Sequence, residues 1–239
     1  MDTPSDAIRC YSDLASEYDA VRFTGRSGRF VFETDKAIIN RLIEQTGAKR
    51  IVDVPVGTGR VLQYLRGRDL DVTGVDVTDE MLAESKKVAD PQRHHLLKGN
   101  AAELPFEDGE FDCLISLRFF HLFEPAERRV FAEEFLRVVR PGGFLIVSFT
   151  NGWYGGGINW LRRLFGRKTV QFEHPGELRR LFPDCVVERR VGNFLPKQSI
   201  MDRVPLLGAS LRRLTNVVPL NLICWERIYL LRKKGDLNG

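Results

Sequence analysis

Long apolar runs are missing from this 239-residue chain. No stretch approaches the roughly 20 apolar residues that a membrane-crossing helix requires. The opening residues, Met1 to Asp6, are polar and lack a signal-peptide pattern, so a cytoplasmic protein is expected. Cysteine is scarce. Cys10, Cys113, Cys185 and Cys224 stand far apart, which argues against a disulfide framework and against a Cys-x-x-Cys metal site. Histidine is equally scarce, and the one adjacent pair, His94-His95, falls in a strand-like run. Neighbours on a strand point to opposite faces, so the two cannot chelate one ion, and no metal is expected. No nucleophilic Cys or Ser-His-Asp order stands out. Internal repeats, low-complexity tracts and linker-like segments are absent as well, which suits a single domain over 1–239.

Charge of one sign is also lacking overall, with a formal net charge of +4, but its distribution is uneven. Residues 1–150 carry 20 Lys and Arg against 25 Asp and Glu, whereas residues 151–239 carry 16 against 7. A basic C-terminal third suits an anionic substrate, a membrane surface or nucleic acid, and equally a plain solvated face.

What the chain does have is the run Arg50-Ile51-Val52-Asp53-Val54-Pro55-Val56-Gly57-Thr58-Gly59-Arg60. Ile51 to Val54 reads as a buried strand that breaks at Pro55 into a glycine turn. Val61, Leu62 and Leu65 then give a helical apolar face. A second strand, Val72 to Val75, ends at Asp76, nineteen residues after Gly57. Strand, glycine turn, helix, strand and acid is the order in which a Rossmann-type sheet holds an adenosine, the acid taking the ribose hydroxyls. A dinucleotide fingerprint would want glycine at Pro55 and Arg60, so pyrophosphate binding is disfavoured.

Asp-x-Pro-x-Gly-Thr-Gly resembles motif I of the class I S-adenosylmethionine-dependent methyltransferases, with Pro55 in place of the first glycine. Further matches follow. Gly99-Asn100-Ala101-Ala102-Glu103-Leu104-Pro105-Phe106 resembles that family's G-D-A-x-x-L-P-F stretch, with Asn100 replacing the acid. Phe106 to Asp112 resembles its P-F-x-D-x-x-F-D passage into the fourth strand, Cys113 to Leu117. Leu136 to Gly143 resembles L-R-V-V-R-P-G-G, closing a helix from Glu124 to Val139 before a strand from Phe144 to Phe149. The resemblance, closest to the type 11 and ubiquinone/menaquinone-type members, covers residues 11–150 well and the rest loosely. It implies an α/β, Rossmann-like, seven-stranded and mostly parallel sheet with helices on both faces and an antiparallel last strand, Ile223 to Arg232. It also implies an N-terminal helical cap (1–46), a cofactor core (47–150), and a substrate-side half (151–239) with insertions at 152–172 and 193–222.

By the same resemblance, S-adenosyl-L-methionine, leaving as S-adenosyl-L-homocysteine, is held by Asp53, Pro55, Gly57, Thr58, Gly59, Asp76, Val77, Met81, Asn100, Ala101 and Leu117, with Arg118 beside it. Tyr11-Ser12-Asp13-Leu14-Ala15-Ser16-Glu17-Tyr18-Asp19 resembles the family's opening segment. On that basis Tyr11, Tyr18 and Arg22 line the methionine end, with simple packing of the tyrosines as the alternative. Residues 4–46 read as helical around a loop at Thr24–Gly28, and Asp79 reads as the N-cap of a helix through Met81, Leu82 and Val88. Helix Glu177 to Phe182 and strand Val186 to Val191 are expected later.

Methyl transfer from a sulfonium needs donor and nucleophile held in line, and a base only for some nucleophiles. His121 is the candidate base. Tyr11, Phe120, Trp153, Tyr154 and Trp160 are candidates for an apolar substrate pocket. The expected acceptor is a small molecule, with a lipid or quinone, and a peripheral membrane contact through the basic third, as the narrower reading. Two alternatives stand beside it: an RNA methyltransferase, with Ser116-Leu117-Arg118-Phe119 where many base aminomethylases carry Asn/Asp-Pro-Pro-Tyr, and a non-catalytic cofactor-binding or interaction protein.

Overall fold

The computed structural model describes residues 25–151, 173, 176–193, 224 and 226–235. Tyr11, Tyr18, Arg22, Trp153, Tyr154 and Trp160 lie outside them, as do nearly all of both expected insertions. In chain order the elements are α1 (Gly25–Thr46), β1 (Arg50–Asp53), α2 (Arg60–Leu65), β2 (Asp71–Asp76), α3 (Asp79–Lys86) and β3 (His94–Lys98). They continue with β4 (Phe111–Ser116), a 3-10 turn (Phe120–Leu122), α4 (Pro125–Val138), β5 (Val139–Thr150), α5 (Glu177–Leu181), β6 (Cys185–Asn193) and β7 (Glu226–Lys233).

Seven strands form one sheet in the order β3-β2-β1-β4-β5-β7-β6. β1 to β5 run parallel, β7 is antiparallel to β5, and β6 is antiparallel to β7. The central strands are apolar on both faces because each face is covered, as parallel sheets require. Alternate residues go to alternate sides. Val52, Leu114, Leu145, Val147, Tyr229 and Leu231 pack with α4 and its phenylalanines. Ile51, Cys113, Ile115, Ile146, Ile228 and Leu230 pack with Ile39, Leu42 and Ile43 of α1 and with Leu62 and Leu65 of α2.

Several boundaries differ from the sequence reading, each for a local reason. The expected loop at Thr24–Gly28 is helical from Gly25, since α1 continues unbroken into its buried stripe of Phe30, Ile39, Leu42 and Ile43. Thr78, not Asp79, caps α3. Its backbone is extended (φ −108°, ψ 135°) and its hydroxyl accepts from the Met81 amide at 3.4 Å, while Asp79 already occupies the first turn. The Arg140-Pro141-Gly142-Gly143 stretch belongs to β5 rather than to a helix end, and β5 starts at Val139 through a register shift opposite Phe111–Cys113. The last strand runs Glu226–Lys233, shifted from the expected Ile223 to Arg232.

α4 begins on a capping box. Glu124 accepts from the backbone at the third helical position, and Glu127 Oε2 accepts from the Glu124 amide at 2.9 Å, with Pro125 at the first helical position.

Candidate active site

The sheet order reverses between β1 and β4: β2 and β3 lie on one side, β5 on the other. In open parallel α/β sheets the crevice beyond the strand carboxyl ends at such a reversal is the ligand site. A cleft of about 490 Å³ occupies it here.

The floor is the segment after β1. The Val54 amide donates to Ile115 O (2.9 Å) and the Val56 amide to Val75 O (2.8 Å), so the chain stays laced to both neighbouring strands until the glycine turn. Gly57 turns at φ +53°, and a Cβ added there would meet no atom within 4 Å. Its amide donates to Asp76 Oδ2 at 3.0 Å. The other Asp76 oxygen accepts from the amide and the hydroxyl of Thr78, both at 3.0 Å. Asp76 therefore reaches the cleft already oriented, and it braces the glycine turn it faces. Burial raises its pKa, opposed by these hydrogen bonds.

Asp53, at the end of β1, is almost fully buried and lines the same cleft. Its Oδ2 has no hydrogen-bond partner among the described residues. Burial, and then the Asp76 charge, push its pKa well above the ordinary carboxylate range. A buried carboxylate oxygen without a donor is costly, and a cationic or hydrogen-bonding ligand relieves that cost.

Of the expected cofactor residues, Asp53, Pro55, Gly57, Thr58, Asp76, Val77, Met81, Asn100, Ala101 and Leu117 all line the cleft. Asn100 also shapes its own loop, its Oδ1 accepting from the Ala102 amide at 3.0 Å. Gly59 does not line the cleft. It caps α2 at φ +80°, and a Cβ there would lie 2.7 Å from Val88 Cγ2 and 3.1 Å from Ser85 Cα, so its role is the close seating of α2 beside α3.

Two expectations after β4 are corrected. Phe120 is not a substrate contact: it is 0% exposed and stacks on Phe149 at 4.8 Å between ring centres, within the core. His121, the candidate base, is half-buried and is not part of the cleft wall. Around the 3-10 turn, Phe119, Leu122 and Phe123 line the cleft, whereas Phe120 and His121 do not.

Phe119, Leu122, Phe123, Val130 and Phe131 make one apolar wall of the cleft. Phe119 lies 4.8 Å from both Phe123 and Phe131, centre to centre.

Sequence reasoning missed Asp35, Arg60, Tyr64 and Glu226. Arg60, Tyr64 and Arg118 line the cleft at its β4 end. Asp35 Oδ2 accepts from Arg118 Nη2 (2.6 Å), Arg60 Nη2 (3.2 Å) and the Tyr64 hydroxyl (3.3 Å). Glu226 Oε2 takes Arg118 Nη2 from the other side at 3.0 Å. One signal was present: Asp35 stands four residues before Ile39 and seven before Leu42, an acid set in the buried stripe of α1.

The sheet order, the glycine turn and the acid closing β2 together define the class I S-adenosylmethionine-dependent methyltransferase fold. Residues 52–147 match the family model described as "Methyltransferase domain". Over 121 residues the chain is 36% identical to an uncharacterized methyltransferase of Mycobacterium tuberculosis, covering 50% of this chain and 48% of that protein. Over 150 residues it is 31% identical to the demethylmenaquinone methyltransferase of Beutenbergia cavernae, covering 61% of this chain and 58% of that protein. The chain thus spans half to three-fifths of the length of these relatives. Among solved structures, magnesium protoporphyrin IX methyltransferase from Synechocystis PCC 6803 with bound SAH shares the fold, with a TM-score of 0.67 at 11% identity over 96% of this chain and 100% of that one.

Proposed function

We propose that the protein binds S-adenosylmethionine in this cleft and transfers its methyl group to a small apolar acceptor, with a lipid or quinone as the narrower class. The observation that carries this reading is the pairing of two cleft acids with different needs. Asp76 is held by three donors and meets the glycine turn, as a ribose-binding acid must. Asp53 retains an unpartnered buried oxygen that suits an ammonium. The cofactor, when bound, supplies a methyl group on a positively charged sulfur and leaves as the neutral thioether. The chain's own work is to hold, align and desolvate. Val77 and Met81 line the cleft beside Asp76, and the presence of Asn100 and Ala101 in the same cleft supports their meeting the adenine edge.

For the acceptor, support comes from the apolar wall of Phe119, Leu122, Phe123 and Phe131 and from relatives named for demethylmenaquinone methylation.

Calorimetric titration with S-adenosylhomocysteine tests the cofactor. Wild-type protein is expected to bind, and Asp76→Ala to bind about tenfold or more weakly, the scale of a lost charge-assisted hydrogen bond at about 1–3 kcal/mol. Absence of binding to folded wild-type protein overturns the reading.

A further inference from the structure

The charged cluster at the β4 end of the cleft has no place in the adenosine site just described. Asp35 is 0% exposed, Glu226 3%, and both face guanidinium groups that line the cleft. One Asp35 oxygen gathers Arg118, Arg60 and Tyr64, and Arg60 Nη2 also reaches the Tyr64 hydroxyl at 2.7 Å. Burial works against the Arg118 charge, yet Asp35 and Glu226 outweigh it and hold the guanidinium firmly ionised. Burial, in turn, raises the Glu226 pKa, with Arg118 opposing.

The backbone is committed as well. Arg118 adopts φ +56°, in the left-handed region, and its amide donates to Ser148 Oγ at 2.7 Å. A non-glycine residue there carries backbone strain and persists because its surroundings fix it. A buried ion network returns little net stability, because desolvation offsets attraction. Four charges and a strained residue at a cleft wall therefore call for a role beyond holding elements together.

Position supplies that role. β2 ends at Asp76 and the segment after β3 holds Asn100 on one side of β1, and the segment after β4 holds Arg118 on the other. A nucleoside with its ribose at Asp76 and its base at Asn100 directs its 5′ substituent toward Arg60 and Arg118. In S-adenosylmethionine and S-adenosylhomocysteine that substituent is an amino acid, and guanidinium groups recognise its carboxylate.

We propose that Asp35 is a positioning residue that acts through Arg60 and Arg118 to set the amino-acid end of the cleft, so that the site selects nucleosides carrying that tail over nucleosides without it. Glu226 is the second anchor of Arg118. The inference rests on the cofactor reading above.

Two ligands separate it from that reading: S-adenosylhomocysteine, and 5′-methylthioadenosine, which is the same nucleoside thioether without the amino acid. Both are titrated into the full chain as wild type, Asp35→Asn, Asp35→Glu and Glu226→Gln. Asp35→Asn is expected to weaken S-adenosylhomocysteine by about tenfold or more while leaving methylthioadenosine within about twofold, and Asp35→Glu to restore part of the difference. A merely structural role lowers the unfolding temperature or weakens both ligands alike, and leaves their ratio unmoved. That outcome, or no loss for either ligand, overturns the inference with the cofactor reading intact. Wild-type protein that is folded and binds neither ligand overturns the cofactor reading itself. Should Asp35→Asn fail to fold, Glu226→Gln carries the same expectation, since it removes the charge on the other side of Arg118.

Discussion

Asp53 is held in the centre of the sheet edge, between β2 and β4, and its proton matters to both stability and binding. Burial, then Asp76, raise its pKa well above the unfolded value of about 3.9. Arg60, Tyr64, Arg118 and Glu127 are the other ionisable side chains of the cleft, and Asp53's partners on β2 and β4, Gly74 and Ile115, carry no charge. The sign follows from proton counting. The folded state holds this proton more tightly than the unfolded chain, so stability falls as pH rises from the unfolded pKa through the folded one. Asp53→Asn removes that loss, and its ligand-free melting temperature at neutral pH is expected to exceed that of wild type. Binding runs the other way. On the proposed reading the ammonium of S-adenosylhomocysteine favours ionised Asp53, so binding is expected to release a proton and to tighten as pH rises toward the raised pKa. Calorimetry in two buffers of different ionisation enthalpy reads that proton directly. Asp53→Asn should abolish it and weaken binding about tenfold, the effect of one lost charge-assisted bond. Proton release that survives the substitution would place the titrating group elsewhere.

At the scale of elements, two glycines of one turn have different jobs. Both Gly57 (φ +53°) and Gly59 (φ +80°) occupy the left-handed region, which an L side chain enters at about 1–2 kcal/mol. Around Gly57 an added Cβ finds open space in the cleft. Around Gly59 it strikes Val88 and the backbone of Ser85. Gly59→Ala is therefore expected to lose about 3 kcal/mol of stability, strain plus overpacking, while any folded fraction keeps its affinity for S-adenosylhomocysteine. Gly57→Ala is expected to lose about 1 kcal/mol and to bind the ligand markedly less well, because the methyl group enters the ligand's space. Denaturant melts paired with titrations check this, and equal profiles for the two variants would refute the division. The glycine turn was legible in the sequence because strand, turn and helix are contiguous, and Asp76 because its spacing follows from one βαβ unit. The 3-10 turn was not. Its apolar letters read the same whichever of Phe119 and Phe120 faces the cleft, and three residues of backbone geometry decide between them. The anchors of Arg118 were hidden for another reason: Asp35 and Glu226 lie 83 and 108 residues away, and no local periodicity encodes such partners.

For the whole molecule, the sheet divides the cleft into a polar and an apolar side. β1, β2 and the tip of β4 contribute Asp53, Asp76 and Arg118, while the 3-10 turn and α4 contribute Leu122, Val130 and Phe131. Val130 is 49% exposed, an aliphatic side chain in water at the cleft wall. On the proposed reading the polar side takes the zwitterionic nucleoside, and the apolar wall is left for the acceptor. Binding energy from such a wall comes from area removed from water, about 25 cal/mol for each Å². This gain grows with the length of a hydrocarbon tail and is small for a nucleic acid. Protein incubated with methyl-labelled S-adenosylmethionine and an unfractionated cell extract should therefore send label into the organic phase on solvent extraction. Addition of a micelle-forming detergent should reduce that transfer by sequestering the acceptor. Label recovered in RNA instead would make the basic C-terminal third the substrate surface and restore the nucleic-acid reading. Label in neither fraction, in protein that still binds S-adenosylhomocysteine, would favour the non-catalytic reading, because a cleft that holds the donor but presents it to nothing has no acceptor to define.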